Sequence, residues 1–299
     1  MLLRDLISKG TETISQAFPE REAREMVLMF LQHSIGVTRH THILAPSYEV
    51  SEEASAEAMR AFGRMAAGEP VQYIIGKAYF YDREFNVTPD VLIPRPETEL
   101  LVREAVNWAR RSGRETMHIA DLCTGSGCIA WSMAMELPGA EVTAVDISDG
   151  ALAVAAGQES GSAAAGCPCE VVAPKFIKAD VLCPPIGTVE GEGPFNHQYD
   201  IIVSNPPYVM ESEKALMRAN VLDHEPHLAL FVSDDDPLLF YRAVAKWALL
   251  MLRPGGYGIV EINEALAFDT EEVFLDLGFR NVRTIKDLHD RDRFVEFYK

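Results

Sequence analysis

The chain has 299 residues, of which 48% are hydrophobic and 24% are charged, as in a globular protein long enough for two domains. Asp and Glu number 45 against 27 Lys and Arg, which gives a formal net charge of −18. Affinity for nucleic acids depends on basic side chains that neutralise phosphates, so this balance disfavours free DNA or RNA and favours a basic protein partner.

The cysteines and the hydropathy predict a cytoplasmic protein. The five cysteines form no Cys-x-x-Cys pair, and this pattern is typical of reduced intracellular thiols. Cys167-Pro168-Cys169 is interpreted as two incidental thiols in a loop rather than as a metal or redox pair. Neither a signal-peptide core nor an apolar run of about 20 residues occurs, so we expect no membrane association.

Residues 1–70 predict a small helical domain. Apolar residues recur at helical spacing between charged ones, namely Ala23, Met26, Val27, Phe30 and Leu31. A second helix is predicted over Ser51–Ala67, with Ser51 as its N-cap and Gly68 as its C-terminal stop. Nothing in this region indicates chemistry, so a helical bundle is the expectation.

Residues 71–94 predict a β-hairpin that links two domains. Val71–Gly76 and Tyr79–Tyr81 are rich in β-forming residues, and Phe85–Val87 follows a charged turn.

Residues 95–299 predict an α/β domain. Strands are expected at Met117–Cys123, Glu141–Asp146, Phe176–Asp180, Asp200–Ser204 and Tyr257–Asn263, and helical segments such as Pro237–Leu252 separate most of them. This alternation predicts a doubly wound, mostly parallel sheet. Asn281–Asp287 and Arg293–Tyr298 have only a short turn between them, so they must pair as an antiparallel hairpin. A seven-stranded sheet that ends in this way resembles class I methyltransferases rather than dehydrogenases.

The segment from Gly157 to Tyr199 contains loop material. Ser160–Gly166 is rich in small residues and Gly187–Gly193 in Gly and Glu, so both are interpreted as surface loops without catalytic residues.

The first candidate binding feature is the turn Asp121–Cys128, of sequence Asp-Leu-Cys-Thr-Gly-Ser-Gly-Cys, between a predicted strand and helix. Its glycines allow the backbone to approach a ligand, and the helix start offers free N–H groups. Asp146 ends the next strand, where a carboxylate can accept hydrogen bonds from a ribose. A tight turn followed by a helix N-terminal acid remains the alternative, and the two features do not separate NAD from S-adenosylmethionine.

Asn205-Pro206-Pro207-Tyr208 follows a predicted strand, at the edge where doubly wound sheets bind ligands. An amide nitrogen is a poor nucleophile, so a site that methylates it should accept both of its N–H groups. The Asn205 side chain and the Pro206 backbone offer oxygen acceptors, and Tyr208 offers a flat face for a planar amide. The alternative is a proline-rich turn of purely structural significance.

Further segments carry a resemblance to a known family. The tetrapeptide resembles the signature of methyltransferases that act on amide or exocyclic amine nitrogens. Nearly the whole chain is similar to the HemK/PrmC-type release factor glutamine N5-methyltransferases, through segments at Pro70–Gly76, Val91–Leu100, Asp223–Pro226 and Leu252–Gly256.

The resemblance implies S-adenosylmethionine as the cofactor, without a metal. The residues that match the loop around its methionine part are Cys123, Thr124, Gly125, Ser126 and Gly127. Asp146 matches the acid that binds the ribose, and Asp180 and Val181 match the position beside the adenine. The family usually has glycine in place of Cys123, whose thiol is tolerable if it points away from the ligand. The assignment of Asp180 is affected by the segment from Gly157 to Tyr199, which is longer than the corresponding segment of the family.

The resemblance also implies that Asn205, Pro206, Pro207 and Tyr208 form the pocket for the substrate glutamine, with Asn205 also close to the cofactor. The implied substrates are class I peptide chain release factors, which present this glutamine in a Gly-Gly-Gln loop. The helical residues 1–70 are then expected to help recognise the release factor.

Two further groups of residues have alternative interpretations. Arg95, Glu97 and Glu99 surround Pro96 at a predicted helix start, where acids are favoured in any case. The functional alternative is that this turn packs over the cofactor and shapes the pocket. His224 and His227 have no third ligand nearby in the sequence, so no metal is assigned.

Two other function classes compete with glutamine methylation. A nucleic-acid amine methyltransferase, acting on adenine N6 or guanine N2, would share the tetrapeptide but needs a basic binding track. A non-catalytic sensor of S-adenosylmethionine would have no use for an amide pocket.

Overall fold

The computed structural model describes residues 1–160, 171–184, 195 and 198–299. The chain forms two compact units. The first comprises Met1–Lys77 and Met217–His224, and the second comprises Ala78–Leu216 and Glu225–Lys299. Cys167, Cys169 and the predicted loop Gly187–Gly193 lie outside the described residues, as does most of Ser160–Gly166.

The first unit is helical. Its helices are α1 (Leu3–Ile14), α2 (Glu20–Ile35), α3 (Thr41–Leu44), α4 (Glu52–Ala66), α5 (Val71–Ile75) and, from the second segment, α9 (Ala219–Leu222). Leu6, Val27 and Phe62 are among the apolar side chains that form its core. Ser51 caps α4 as predicted, because its hydroxyl accepts a hydrogen bond from the Ala54 N–H at 3.1 Å.

The predicted start of the hairpin was wrong by six residues. Val71–Ile75 is a helix, and the strands of the hairpin are β1 (Lys77–Phe80) and β2 (Arg83–Asn86). The β-forming tendency of Val71 and Tyr73 gives way because both side chains are buried when this segment is helical. Gly76, with φ of 69°, ends the helix in the left-handed conformation.

The second unit alternates helices and strands. After the hairpin come α6 (Glu99–Ser112), β3 (His118–Leu122), α7 (Cys128–Glu136), β4 (Glu141–Asp146), α8 (Asp149–Ala156), β5 (Lys175–Lys178), β6 (Tyr199–Ser204), β7 (Val209–Met210), α10 (His227–Leu230), β8 (Phe231–Val232), α11 (Leu239–Met251), β9 (Leu252–Glu261), α12 (Ala267–Asp276), β10 (Arg280–Lys286) and β11 (Asp292–Tyr298). A 3-10 turn at Pro96–Thr98 precedes α6.

In the part of the chain that the structure describes, seven strands form one sheet, in the order β10-β11-β9-β6-β3-β4-β5. The five strands from β9 to β5 are parallel, whereas β11 is antiparallel to both β9 and β10. β7 and β8 pair separately. The predicted doubly wound sheet with an antiparallel C-terminal hairpin is therefore confirmed, together with the helical region before it.

Side chains that alternate along the strands divide the core of the second unit between the two faces of the sheet. Ile201 and Val203 of β6 pack in a cluster with residues of α6 and α7, whereas Ile202 packs in a cluster with residues of α11 and α12. Because both faces are covered, ligands can reach the sheet only at its ends, and the carboxyl ends of β3, β4, β6 and β9 lie side by side.

Candidate active site

One cavity of the second unit lies at the carboxyl ends of β3, β4 and β6. Its lining includes most of the residues predicted for the site, namely Cys123, Thr124, Gly125, Ser126, Asp146, Asp180, Val181, Asn205 and Pro207. Apolar side chains from other segments contribute to it, among them Ile129, Val145, Ile147 and Phe240. The turn after β3 and the tetrapeptide after β6 therefore meet at one site, as the strand order requires.

The turn between β3 and α7 leaves room for a ligand. Gly125 has φ of 54°, and no heavy atom lies within 4 Å of the position that a Cβ would occupy. The Thr124 hydroxyl donates to Asp121 at 2.6 Å, which holds the turn to the end of its strand. Gly127 has φ of 78° and is not among the lining residues, because it packs against Ala155 of α8.

Asp146 is oriented by backbone groups on two sides. One oxygen of its carboxylate accepts from the Gly125 N–H at 2.8 Å, and the other accepts from the Ser148 N–H at 2.9 Å. Each carboxylate oxygen has a further lone pair, so Asp146 can still accept from the hydroxyls of a ligand.

Cys123 adopts φ of 63°, in the left-handed region that favours glycine. Its side chain both lines the cavity and packs against the cluster of α11 and α12. Burial, followed by the charges of Asp146 and Asp121, raises the pKa of the thiol well above its ordinary value. The Cys123 thiol therefore stays protonated, so it lines the cavity as an uncharged group and does not act as a nucleophile.

Asp180 and Val181 follow β5 and form one wall of the cavity. The Asp180 carboxylate accepts from the Leu182 N–H at 2.9 Å, while Val181 is buried and its carbonyl accepts from Trp247 at 2.8 Å. Both predicted residues thus line the same cavity as Asp146.

The tetrapeptide has two faces. Asn205 and Pro207 line the cavity, whereas Pro206 and Tyr208 do not. The Tyr208 hydroxyl donates to the carboxylate of Glu261, at the end of β9, over 3.0 Å. The Asn205 amide donates from Nδ2 to the Thr98 hydroxyl at 3.3 Å, and this hydroxyl donates to Glu261 at 2.6 Å.

The segment Asp90–Arg95, here called the strap, lies along the cavity. Four of its residues besides Asp90 are in the lining: Val91, Leu92, Pro94 and Arg95. It is held by Glu225, whose buried carboxylate accepts from the Ile93 N–H at 3.2 Å and from Arg95 at 2.7 Å. Pro96 begins the 3-10 turn, and Glu99 accepts from the Tyr81 N–H at 3.0 Å. The start of α6 therefore has both roles: Glu99 bonds to the hairpin, while Arg95 and Thr98 line the cavity.

Thr98, Glu225 and Glu261 were not singled out from the sequence. Glu261 had a recognisable signal, since it is a carboxylate at the end of an apolar strand of a parallel sheet. Thr98 and Glu225 lie in the segments Val91–Leu100 and Asp223–Pro226 that carry the family resemblance, but neither received a role of its own, because their partners are more than 100 positions away.

Acidic groups dominate the electrostatics of this region. Complete burial, opposed by the Thr124 hydrogen bond and reinforced by the charge of Asp146, raises the pKa of Asp121 to about 7. The lining contains the acids Asp90, Asp146 and Asp180, whereas Arg95 in the same lining is paired with Glu225, so the balance of charge suits a cationic ligand. The open turn, the oriented Asp146 and the apolar wall together fit an adenosine-bearing cofactor with a positive sulfur.

The described residues contain no group of three or more His, Cys, Asp or Glu side chains arranged to hold a metal ion. The helices described include none with the length and apolar character that a membrane span requires.

The fold and the site define a class I methyltransferase. A solved structure of the hMettl16 catalytic domain in complex with an RNA hairpin has the same fold, with a TM-score of 0.51 and 15% identity, over 83% of this chain and 82% of that one. A family model described as a methyltransferase small domain matches residues 98–228, and the PrmC N-terminal domain model matches residues 5–76.

Curated relatives narrow the class to a family. The chain is 38% identical to the release factor glutamine methyltransferase of Bacteroides thetaiotaomicron, over 95% of both chains. It is 35% identical to that of Flavobacterium psychrophilum, over 99% of both. The chain belongs to the release factor glutamine methyltransferase family, and it is an S-adenosylmethionine-dependent methyltransferase.

Proposed function

We propose that this enzyme transfers a methyl group from S-adenosylmethionine to the side-chain nitrogen N5 of a glutamine in class I peptide chain release factors, within their Gly-Gly-Gln loop. The observation that carries the proposal is that Asn205 and Pro207 line the same cavity as the turn Cys123–Ser126 and Asp146. The amide-binding tetrapeptide and the cofactor-binding turn are thereby adjacent. Family membership supports the release factor as the substrate.

The cofactor-binding residues in this proposal are Cys123 to Gly127, Asp146, Asp180, Val181 and Asn205. Bound S-adenosylmethionine supplies the methyl group from a positively charged sulfur and leaves as the neutral S-adenosylhomocysteine. Asp146 binds the ribose, and Val181 contacts the adenine. Gly127 acts through the shape of the turn, because its absent side chain allows α7 to approach Ala155 of α8.

The residues proposed to bind and orient the glutamine are Asn205 and Pro207, which line the cavity, together with Pro206 and Tyr208, which follow the same strand but lie outside the lining. Asn205 Oδ1 and the Pro206 carbonyl accept the two N–H groups of the substrate amide, which leaves its nitrogen directed at the methyl group. Tyr208 provides an aromatic face beside that amide. Fixing reactants in this way can lower a barrier by several kcal/mol, and no strong base is needed because the methylated amide readily loses its extra proton to water.

We further propose that residues 1–70 form a domain that recognises the release factor, with residues 71–94 as the linker and residues 95–299 as the catalytic domain. A net charge of −18 supports a basic protein surface as the partner rather than free nucleic acid. A cytoplasmic location follows from this substrate, since release factors act on cytoplasmic ribosomes.

The proposal is tested by a methyl-transfer assay with radiolabelled S-adenosylmethionine and three separate acceptors: release factor, ribosomal RNA and DNA. We expect label on the release factor, mapped by mass spectrometry to the glutamine of its Gly-Gly-Gln loop. A release factor with asparagine in that position is the matched control and should remain unlabelled. Label on nucleic acid alone would overturn the substrate while leaving the fold and the cofactor site intact.

The role of Asn205 is tested with Asn205→Ala. Turnover should fall about 100-fold, because one oriented polar contact to the reacting group is lost, while the dissociation constant of the cofactor changes little. Asn107→Ala, on α6 and outside the cavity lining, is the control. Unchanged turnover in Asn205→Ala would contradict the assigned role.

A further inference from the structure

Three segments far apart in the sequence meet in one hydrogen-bonded chain behind the tetrapeptide. Asn205 Nδ2 donates to the Thr98 hydroxyl at 3.3 Å, Thr98 donates to one oxygen of Glu261 at 2.6 Å, and Tyr208 donates to its other oxygen at 3.0 Å. Thr98 is 2% exposed and Glu261 is 1% exposed, so water does not compete for these bonds.

The chemistry of the groups fixes the direction of each bond. In its ionised form Glu261 can only accept, so the single proton of the Thr98 hydroxyl is committed to this carboxylate. What remains on Thr98 Oγ1 is acceptor capacity, and its other partner must therefore donate. That partner is the NH₂ group of Asn205 and not its carbonyl oxygen. The oxygen Oδ1 of Asn205 is left available to the cavity that this residue lines.

The charge state of Glu261 is set by opposing influences. On balance the pKa of Glu261 is raised above its ordinary value, because burial outweighs the bonds from Thr98 and Tyr208 and the charge of Arg293, which lower it, and the charge of Glu97 raises it further. Tyr208 cannot supply the charge instead, because burial and then the neighbouring Glu261 raise the pKa of its phenol well above the ordinary value. Tyr208 therefore remains a donor to Glu261.

We propose that Thr98 and Glu261 are positioning residues that hold the Asn205 amide with its oxygen toward the acceptor, so that the site selects an amide side chain over a carboxylate. A glutamine NH₂ donates to Asn205 Oδ1, whereas a glutamate carboxylate can only accept and would meet this oxygen unfavourably. The inference rests on the proposed function, because it identifies what distinguishes glutamine from glutamate in the same pocket.

The informative variants change the hydroxyl of residue 98 or the carboxylate that it bonds to. Thr98→Val keeps the shape but removes the hydroxyl, so the Asn205 amide is free to rotate. Thr98→Ser keeps the hydroxyl and is the matched control. Glu261→Gln presents an amide to two hydroxyls that donate to a carboxylate in the wild type, so one of those bonds must be lost or reversed.

The activity measurements compare kcat, KM, cofactor affinity and discrimination between two forms of the release factor. In Thr98→Val and Glu261→Gln we expect kcat to fall at least about tenfold, with the cofactor dissociation constant unchanged within about twofold. A release factor with glutamate in its Gly-Gly-Gln loop should compete about tenfold better against these variants, relative to the glutamine form, than against wild type. Thr98→Ser should retain both turnover and discrimination.

A second readout does not depend on the substrate. In protein labelled with ¹⁵N-asparagine, the side-chain NH₂ signals of Asn205 are assigned by their loss in Asn205→Ala. Their exchange with water should be slow in wild type and Thr98→Ser, and at least about tenfold faster in Thr98→Val, because a hydrogen bond that protects them is lost.

The two readouts separate the two hypotheses. If the wild type does not methylate the release factor but the NMR signals behave as expected, the proposed function fails and the orienting chain stands. If the release factor is methylated while Thr98→Val matches wild type in turnover, discrimination and exchange, the orienting chain is wrong. A Thr98→Ser enzyme as impaired as Thr98→Val would also overturn it, since packing and not the hydroxyl would then be responsible.

Discussion

Arg95 and Glu225 form an ion pair at 2.7 Å, although 130 positions separate them in the sequence. The Glu225 side chain is only 1% exposed, and its second oxygen accepts from the Ile93 backbone. The buried Glu225 carboxylate therefore fixes the strap at two points, through the guanidinium of Arg95 and through the backbone N–H of Ile93. Removing it would leave a backbone donor and a guanidinium without their partner, which costs more than the pair contributes.

We therefore expect Glu225→Ala to lower the free energy of unfolding by about 3 kcal/mol, the lower part of the range for a broken buried pair, because Arg95 retains some exposure. Urea denaturation measures this change. Hydrogen exchange at Val91 and Ile93 should accelerate as the strap loosens. The control is Glu211→Ala, which removes the surface ion pair with Lys214 and should cost at most about 1 kcal/mol. Equal losses in the two variants would contradict the role given to Glu225.

Asp146 is expected to contribute to cofactor affinity through hydrogen bonds to the ribose. Asp146→Ala should weaken S-adenosylmethionine binding about 10- to 100-fold, because bonds to a charged acceptor are lost and the Gly125 N–H loses its partner. Isothermal titration calorimetry measures the dissociation constant. Asp149→Ala is the control, since this exposed acid on α8 pairs with Lys178 on the surface. It should bind the cofactor like wild type, and a parallel loss there would point to general disruption of α8.

Alanine variants of Gly127 and Gly113 distinguish the backbone strain of a side chain at positive φ from the steric clash of its Cβ. A Cβ on Gly127 would lie 2.9 Å from the Ala155 Cβ, whereas a Cβ on Gly113 would have no heavy atom within 4 Å. Both glycines have φ near 70°, at 78° and 68°, so both alanine variants carry similar backbone strain, about 1 kcal/mol. Thermal unfolding should show a larger loss for Gly127→Ala, because α7 and α8 must also separate. Similar melting temperatures for the two variants would mean that the helix contact relaxes without cost.

The buried Asp121 predicts a pH dependence of stability in the cofactor-free protein. Its ordinary pKa is 3.8, and burial raises the pKa to about 7 in the folded state. The folded protein therefore binds this proton more tightly than the unfolded chain does. The resulting stabilisation is complete below pH 3.8 and is lost as the pH rises through 7.

Asp121→Asn removes this titration and keeps a similar shape. Denaturant unfolding of both proteins from about pH 4 to about pH 8 should show the variant gaining stability relative to wild type as the pH rises, by a few kcal/mol in total. Other groups titrate in both proteins, so their contributions cancel when the two free energies of unfolding are subtracted. A difference that stays constant over this range would show that Asp121 titrates near its ordinary value.

The sequence by itself determined the order of strands and helices and the ligand-binding end of the sheet. Apolar runs and amphipathic periods report local burial, and they placed β4 at Glu141–Asp146 with both bounds correct. Because ligands bind at the carboxyl ends of parallel strands, Asp146 and Asn205 could be assigned to one site without coordinates. The same local signals failed at Val71–Ile75, where burial within the helical unit overrides β propensity.

Only the tertiary structure decided which groups support that site. Thr98 and Glu261 are 163 positions apart, and Glu225 holds a strap 130 positions before it. No periodicity links such residues, because their contact results from the packing of the whole unit and not from any local conformational preference. The residues that line the cavity could therefore be predicted largely from strand ends and turns, whereas the buried partners of Asn205 and Arg95 became apparent only from the tertiary contacts.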